Sequence, residues 1–71
     1  MAEVVRAELV GNVLDVLTEP GRVVAGGEPL VLLESMKMEI PVSSEAGGTV
    51  TQVPVQVGDV VQEGDVLAVI G

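Results

Sequence analysis

Lys37 is the only lysine in 71 residues, and it stands in Glu34-Ser35-Met36-Lys37-Met38-Glu39. A single primary amine framed by two methionines reads as an attachment point. Lysine carries its amine on a flexible four-carbon stem, so it can hold a covalent group clear of a rigid body. Thioether side chains are polarizable and unbranched, so Met36 and Met38 can pack against partners of more than one shape. The plainer reading is an ordinary surface lysine beside two core methionines, and chemistry alone leaves the two readings balanced. Glu34 and Glu39 flank the lysine, and paired acids on an exposed turn are most simply solvated charges.

The rest of the chain offers little competing chemistry. It contains no Cys, His, Tyr, Trp or Phe. Ser35, Ser43 and Ser44 therefore have no histidine to act as base. Disulfides and thiolate metal sites are excluded. Eleven carboxylates are present, but no Asp-x-Asp-x-Asp loop that would gather them around a hard cation. Gly26-Gly27 is not followed by the Lys-Ser of a phosphate loop, and the pair reads as a turn. These absences point to a non-catalytic protein. The formal charge is −8, with Arg6, Arg22 and Lys37 the only cations. Such a surface repels nucleic-acid phosphates and anionic lipid, so neither nucleic acid nor membrane is expected as a partner. No run approaches the ~20 apolar residues of a membrane-spanning helix. Met1-Ala2-Glu3 opens with an acid rather than a basic signal region, which points to a cytoplasmic location.

The elements that must position Lys37 follow from valine and glycine. Residues 1–71 allow one domain, near the lower size limit for a chain without staples. Seventeen valines dominate the apolar residues, and β-branched side chains suit a pleated, half-buried surface, so the fold class is all-β. A shift of 37 positions, the distance from Gly21 to Gly58, lays the second half of the chain over the first. Gly11, Val13 and Val16 then fall on Gly48, Val50 and Val53; Gly21, Val23 and Val24 on Gly58, Val60 and Val61; Gly27, Leu30 and Leu32 on Gly64, Leu67 and Val69. Two such units are too few for a solenoid. They are expected to pack face to face about a pseudo-twofold axis as a flattened barrel or sandwich. Val5, Ala7 and Leu9 alternate with Arg6 and Glu8 as a half-buried first strand. Val53, Val55 and Val57 alternate with Pro54 and Gln56, with Pro54 marking an edge or bulge. Gly21, Gly27, Gly58 and Gly64 are expected at turns with positive φ.

The repeat also places Lys37. Under the same shift it maps onto the gap between the two chain ends, so its turn is expected at the opposite end of the molecule from both termini. One local signal disagrees: Leu32 to Glu39 is rich in helix formers, and Met36-Lys37 lacks the Asn-Gly of a tight hairpin turn. Pro41 and the repeat frame favour a strand-to-strand turn over a helix.

Glu34-Ser35-Met36-Lys37-Met38-Glu39 resembles the attachment motif of the biotinyl (biotin carboxyl carrier) domain family, commonly Glu-Ala-Met-Lys-Met. Gly27-Glu28-Pro29-Leu30, Ile40-Pro41-Val42, Gly48-Thr49-Val50, Val57-Gly58-Asp59-Val60-Val61 and Glu63-Gly64-Asp65-Val66-Leu67 are similar to the family in order and spacing. The likeness is greatest to small stand-alone biotin-attachment proteins. It implies a barrel-sandwich hybrid of two pseudo-twofold halves, with biotin attached to Lys37 by a biotin protein ligase. It also implies that Met36, Met38, Glu34 and Glu39 belong to the surface read by partners. The implied role is carriage of carboxyl groups between biotin carboxylase and carboxyltransferase subunits of an acyl-CoA carboxylase type of system. Lipoyl domains share the fold but usually carry Asp-Lys-Ala, so Met36 and Met38 favour biotin over lipoyl carriage in a 2-oxo-acid dehydrogenase. A third reading is an unmodified interaction module of the same fold, which would have no need of Met-Lys-Met. Ser43-Ser44-Glu45 stands where many relatives have Ala-Pro, a change expected to loosen the strand after the hairpin.

Overall fold

Among the described residues, alternating valines and glycine turns give eight short strands: β1 Glu3–Arg6, β2 Gly11–Val16, β3 Val23–Ala25, β4 Pro29–Ser35, β5 Met38–Ser43, β6 Gly47–Gln52, β7 Val60–Val61 and β8 Val66–Ile70. A computed structural model describes residues 2–71, and Met1 lies outside them. The strands form two four-stranded antiparallel sheets, ordered β1-β8-β6-β3 and β5-β4-β2-β7. A shift of 37 residues carries one order onto the other, strand for strand.

The correspondence reaches individual backbone pairs. Leu33 opposes Ile40 across β4 and β5, as Ile70 opposes Glu3 across β8 and β1. The β2–β4 register slips between Val13 and Asp15, and the β6–β8 register slips at the matching place, between Val50 and Gln52. The β4–β5 register slips between Pro29 and Val31 and the β1–β8 register between Val5 and Arg6, again at matching places. Such irregularities sharpen strand twist, so that both sheets coil around the same core. The turns match too. The Gly58 amide donates to Val13 O at 2.9 Å and the Gly21 amide to Val50 O at 2.7 Å. The four turn glycines have φ of 94° (Gly21), 84° (Gly27), 96° (Gly58) and 93° (Gly64). A Cβ at any of them would meet nothing within 4 Å, so conformation and not space requires glycine there.

The core repeats as well. Val13 and Val50, Val24 and Val61, Leu30 and Leu67, Val31 and Ala68, and Leu33 and Ile70 are all buried, each pair one residue of a half and its counterpart. With no aromatic side chain available, these aliphatic pairs are what the two sheets bury against each other.

Three local expectations are corrected. The first strand ends at Arg6, although the alternation in burial continues through buried Ala7 to half-buried Leu9. Residues 53–57 form no strand: Val53 and Val55 pack on the core, but Val57 is exposed and the segment pairs with neither sheet, as Pro54 removes a donor. Ser43-Ser44-Glu45 does not loosen the chain. Ser44 is buried at the counterpart of Ala7, and its Oγ accepts the Gly47 amide at 2.7 Å. Among the described residues, no helix is long and apolar enough to cross a membrane.

Candidate functional site

Lys37 occupies the second position of a two-residue loop joining β4 to β5. Ser35 opposes Met38, Glu34 opposes Glu39 and Leu33 opposes Ile40, so the ladder runs to the very tip. Met36 and Lys37 have φ of 53° and 63°, the only non-glycine residues with positive φ among the described residues. A two-residue loop with both central residues in this region has the twist that fits a hairpin, and it ordinarily uses Asn-Gly. L-residues held there cost about 1–3 kcal/mol each. The strain is tolerated because β4 is the better-anchored strand, paired on both sides by β2 and β5 with Leu30, Val31 and Leu33 in the core. The end of β4 is also braced closely by β2: a Cβ on Gly11 would lie 2.7 Å from the Glu34 carbonyl oxygen, so only glycine permits that approach. The weak helical signal over Leu32–Glu39 is overridden by this packing.

The side chains at the tip are free. Met36 is 92% exposed and Met38 63%. Lys37 is exposed, and among the described residues its amine has no hydrogen bond or ion pair; the one ion pair joins Arg22 to Glu28 at 3.4 Å. Glu34 and Glu39 stand directly across the ladder from each other, and neither neutralises Lys37. Like charges in directly opposed positions disfavour pairing, so these acids are a local cost to the hairpin. Val10 and Val60, exposed at 61% and 68%, share a shallow recess with Met36. Sequence reading did not single them out. They come from distant segments, and only the β2–β7 pairing of Asn12 with Val60 brings them to the tip.

The hairpin runs away from the chain ends. β5 leads from Met38 to Ser43, a path of roughly 20 Å at strand rise. Just beyond it the amides of Glu45 and Ala46 donate to the Glu3 carboxylate at 2.9 and 3.3 Å, and Glu3 pairs with Ile70. The amide of Glu45 is the main reason the Glu3 carboxyl is held below the usual carboxylate range, with Ala46 and the Ser44 hydroxyl adding to it against a desolvation penalty. Lys37 and the paired residues Glu3 and Ile70 therefore lie at opposite ends of the hairpin, and Met1 lies outside the described residues.

The match to known proteins follows the same span. The family model described as "Biotin-requiring enzyme" covers residues 2–70. The chain belongs to this biotin/lipoyl family. It is 57% identical over 70 residues to a Mycobacterium leprae "Biotinylated protein TB7.3 homolog", covering 99% of each chain. It is 41% identical over 63 residues to the "Biotin/lipoyl attachment protein" of Bacillus subtilis, covering 89% of this chain and 86% of that one. Among solved structures, the Kluyveromyces lactis urea carboxylase superposes with a TM-score of 0.93 at 31% identity, over 100% of this chain and 6% of the carboxylase. This biotin/lipoyl chain is thus similar both to small stand-alone biotinylated proteins and to one small part of a large carboxylase.

Proposed function

We propose that this chain carries biotin as an amide on Nζ of Lys37, and that it conveys carboxyl groups between a biotin carboxylase site and a carboxyltransferase site. The observation that supports this most is the position of its single lysine, on an exposed two-residue turn where no group among the described residues holds the amine. When bound, biotin supplies a ureido nitrogen that takes up and releases a carboxyl group; the chain supplies aim and a recognisable face. The residues fit a tethered group: the tip offers an amine on a long stem, and the strained turn points it away from a rigid ladder.

Attachment needs a second protein. Lysine amines are protonated near pH 7, and the chain has no histidine to serve as base. A biotin protein ligase would supply the acyl group as an acyl-adenylate and help deprotonate Lys37. The N–C amide bond forms, the acyl–phosphate bond breaks, AMP leaves, and two of the ammonium's protons pass to the ligase or solvent while the third stays as the amide N–H. Loss of the lysine charge takes the formal charge from −8 to −9. In this reading Met36 and Met38 give the ligase an apolar contact, and Glu34 and Glu39 give it a negative face. Tethering then replaces diffusional encounter with a high effective concentration at both partner sites. The final acceptor is an acyl-CoA or a keto acid.

The test is the intact mass of the chain from its native host, paired with Lys37→Arg. One amide-linked biotin per chain is expected, and the variant should fold normally and give no streptavidin signal. Lipoate, no adduct, or a variant that still binds streptavidin would refute the proposal.

A further inference from the structure

Among the described residues, the hairpin tip carries both methionines. The sequence has no Cys, His, Trp or Tyr and three methionines; the two among the described residues, Met36 and Met38, both flank Lys37. Methionine usually fills irregular gaps in a core, but these two residues are 92% and 63% exposed. We infer that Met36 and Met38 form a peroxide-sensitive modification site whose oxidation slows acyl attachment at Lys37. The second half of this inference rests on the attachment proposed above.

The chemistry is a two-electron transfer. The thioether sulfur attacks one oxygen of hydrogen peroxide, an S–O bond forms, the O–O bond breaks and water leaves. Sulfur is oxidised to the sulfoxide as the peroxide is reduced, and methionine sulfoxide reductases reverse the change. A flexible apolar side chain becomes a polar one. At Met36 it would do so on the recess shared with the exposed Val10 and Val60. At Met38 it would do so on the pair with Ser35 that closes the hairpin. Neither residue belongs to the core, so the fold should survive and the loss should be one of recognition.

The sequence makes the test direct. Trypsin cuts the unbiotinylated chain after Arg6, Arg22 and Lys37, which puts Met1, Met36 and Met38 in separate peptides. After hydrogen peroxide, one added oxygen is expected in each of the Met36 and Met38 peptides, at rates close to that of free methionine. With purified biotin protein ligase, kcat/KM for the oxidised chain should fall about tenfold with its circular dichroism unchanged. Methionine sulfoxide reductase should restore the rate, and the double variant Met36→Leu, Met38→Leu should keep its own rate through the same treatment. Three results would each overturn the inference: slow oxidation of both residues, an oxidised chain modified at the original rate, or an equal loss in the double variant. A chain that the ligase does not modify before any peroxide sinks the attachment reading and the effect on it, while the peptide masses still decide whether the site oxidises.

Discussion

β5 and β1 occupy equivalent places in the 37-residue repeat, each on the edge of its sheet beside β4 or β8, yet the two ends of the molecule differ. Where β4 and β5 are joined by Met36-Lys37, the matching strands β8 and β1 run to the chain ends. Ile40 lines a surface recess with Glu8 and Leu9, whereas its counterpart Glu3 grips the amides of Glu45 and Ala46 at the matching corner. Features demanded by the fold occur twice: the bulges, the four turn glycines and the paired core positions. The strained turn, the exposed methionines, the lone lysine and the opposed acids occur once. A repeat therefore works as an internal control, separating what holds the scaffold from what the scaffold holds.

The largest expected effect attacks the shared part. Gly58→Val and Gly21→Val should each destabilise by about 1–3 kcal/mol, since each forces a β-branched residue to positive φ. Urea unfolding of both variants measures it, and a clear inequality between them would break the equivalence of the halves. A smaller effect separates the two corners. Because the Glu3 carboxyl is held below its usual range in the fold, the unfolded chain binds the proton more readily. Its stabilisation is therefore present above the ordinary carboxylate range and lost as pH falls through the lower, folded value. Wild type should lose stability more steeply in that acid window than Glu3→Gln, as read from thermal midpoints against pH; parallel curves would show that the clamp is unimportant. The smallest effect lies at the tip, where relief of strain should raise stability. Met36→Asn, which tolerates the left-handed region, should gain about 0.5–1 kcal/mol. A loss would mean that exposed Met36 makes contacts worth more than its backbone costs.

Much of the scaffold was legible because the repeat is written in residues whose roles are local. Glycine marks a turn by its own conformational freedom, and valine marks a strand by its own shape. Lys37 could be assigned to a hairpin tip from the repeat alone, against the helical leaning of its neighbours. What was hidden depends on register between distant segments. Glu3 and Glu45 are far apart in sequence, and nothing local marks either as half of a clamp. Ser44 looked like a weakness because it stands where many relatives have Ala-Pro; its burial at the place of Ala7 shows in the repeat only when positions, not residue types, are compared. Val10 and Val60 were missed for the same reason, and Val53 to Val57 were overread because alternation does not guarantee a partner strand.

The order of strands in one sheet sets a schedule for its assembly. β4 and β5 are neighbours in sequence and can zip early through a two-residue loop. β8, by contrast, lies between β1 and β6, and Glu3 must wait for Ile70 at the far end of the chain. Pairings this distant in sequence form late, because loop-closure entropy is lost before they contribute. The lysine hairpin is a local pairing and the sheet around β8 is not, so a folding chain can display Lys37 while the β1-β8-β6-β3 sheet is still open. Completion of β8 is then the step that turns a displayed amine into one held at a fixed angle on a finished body.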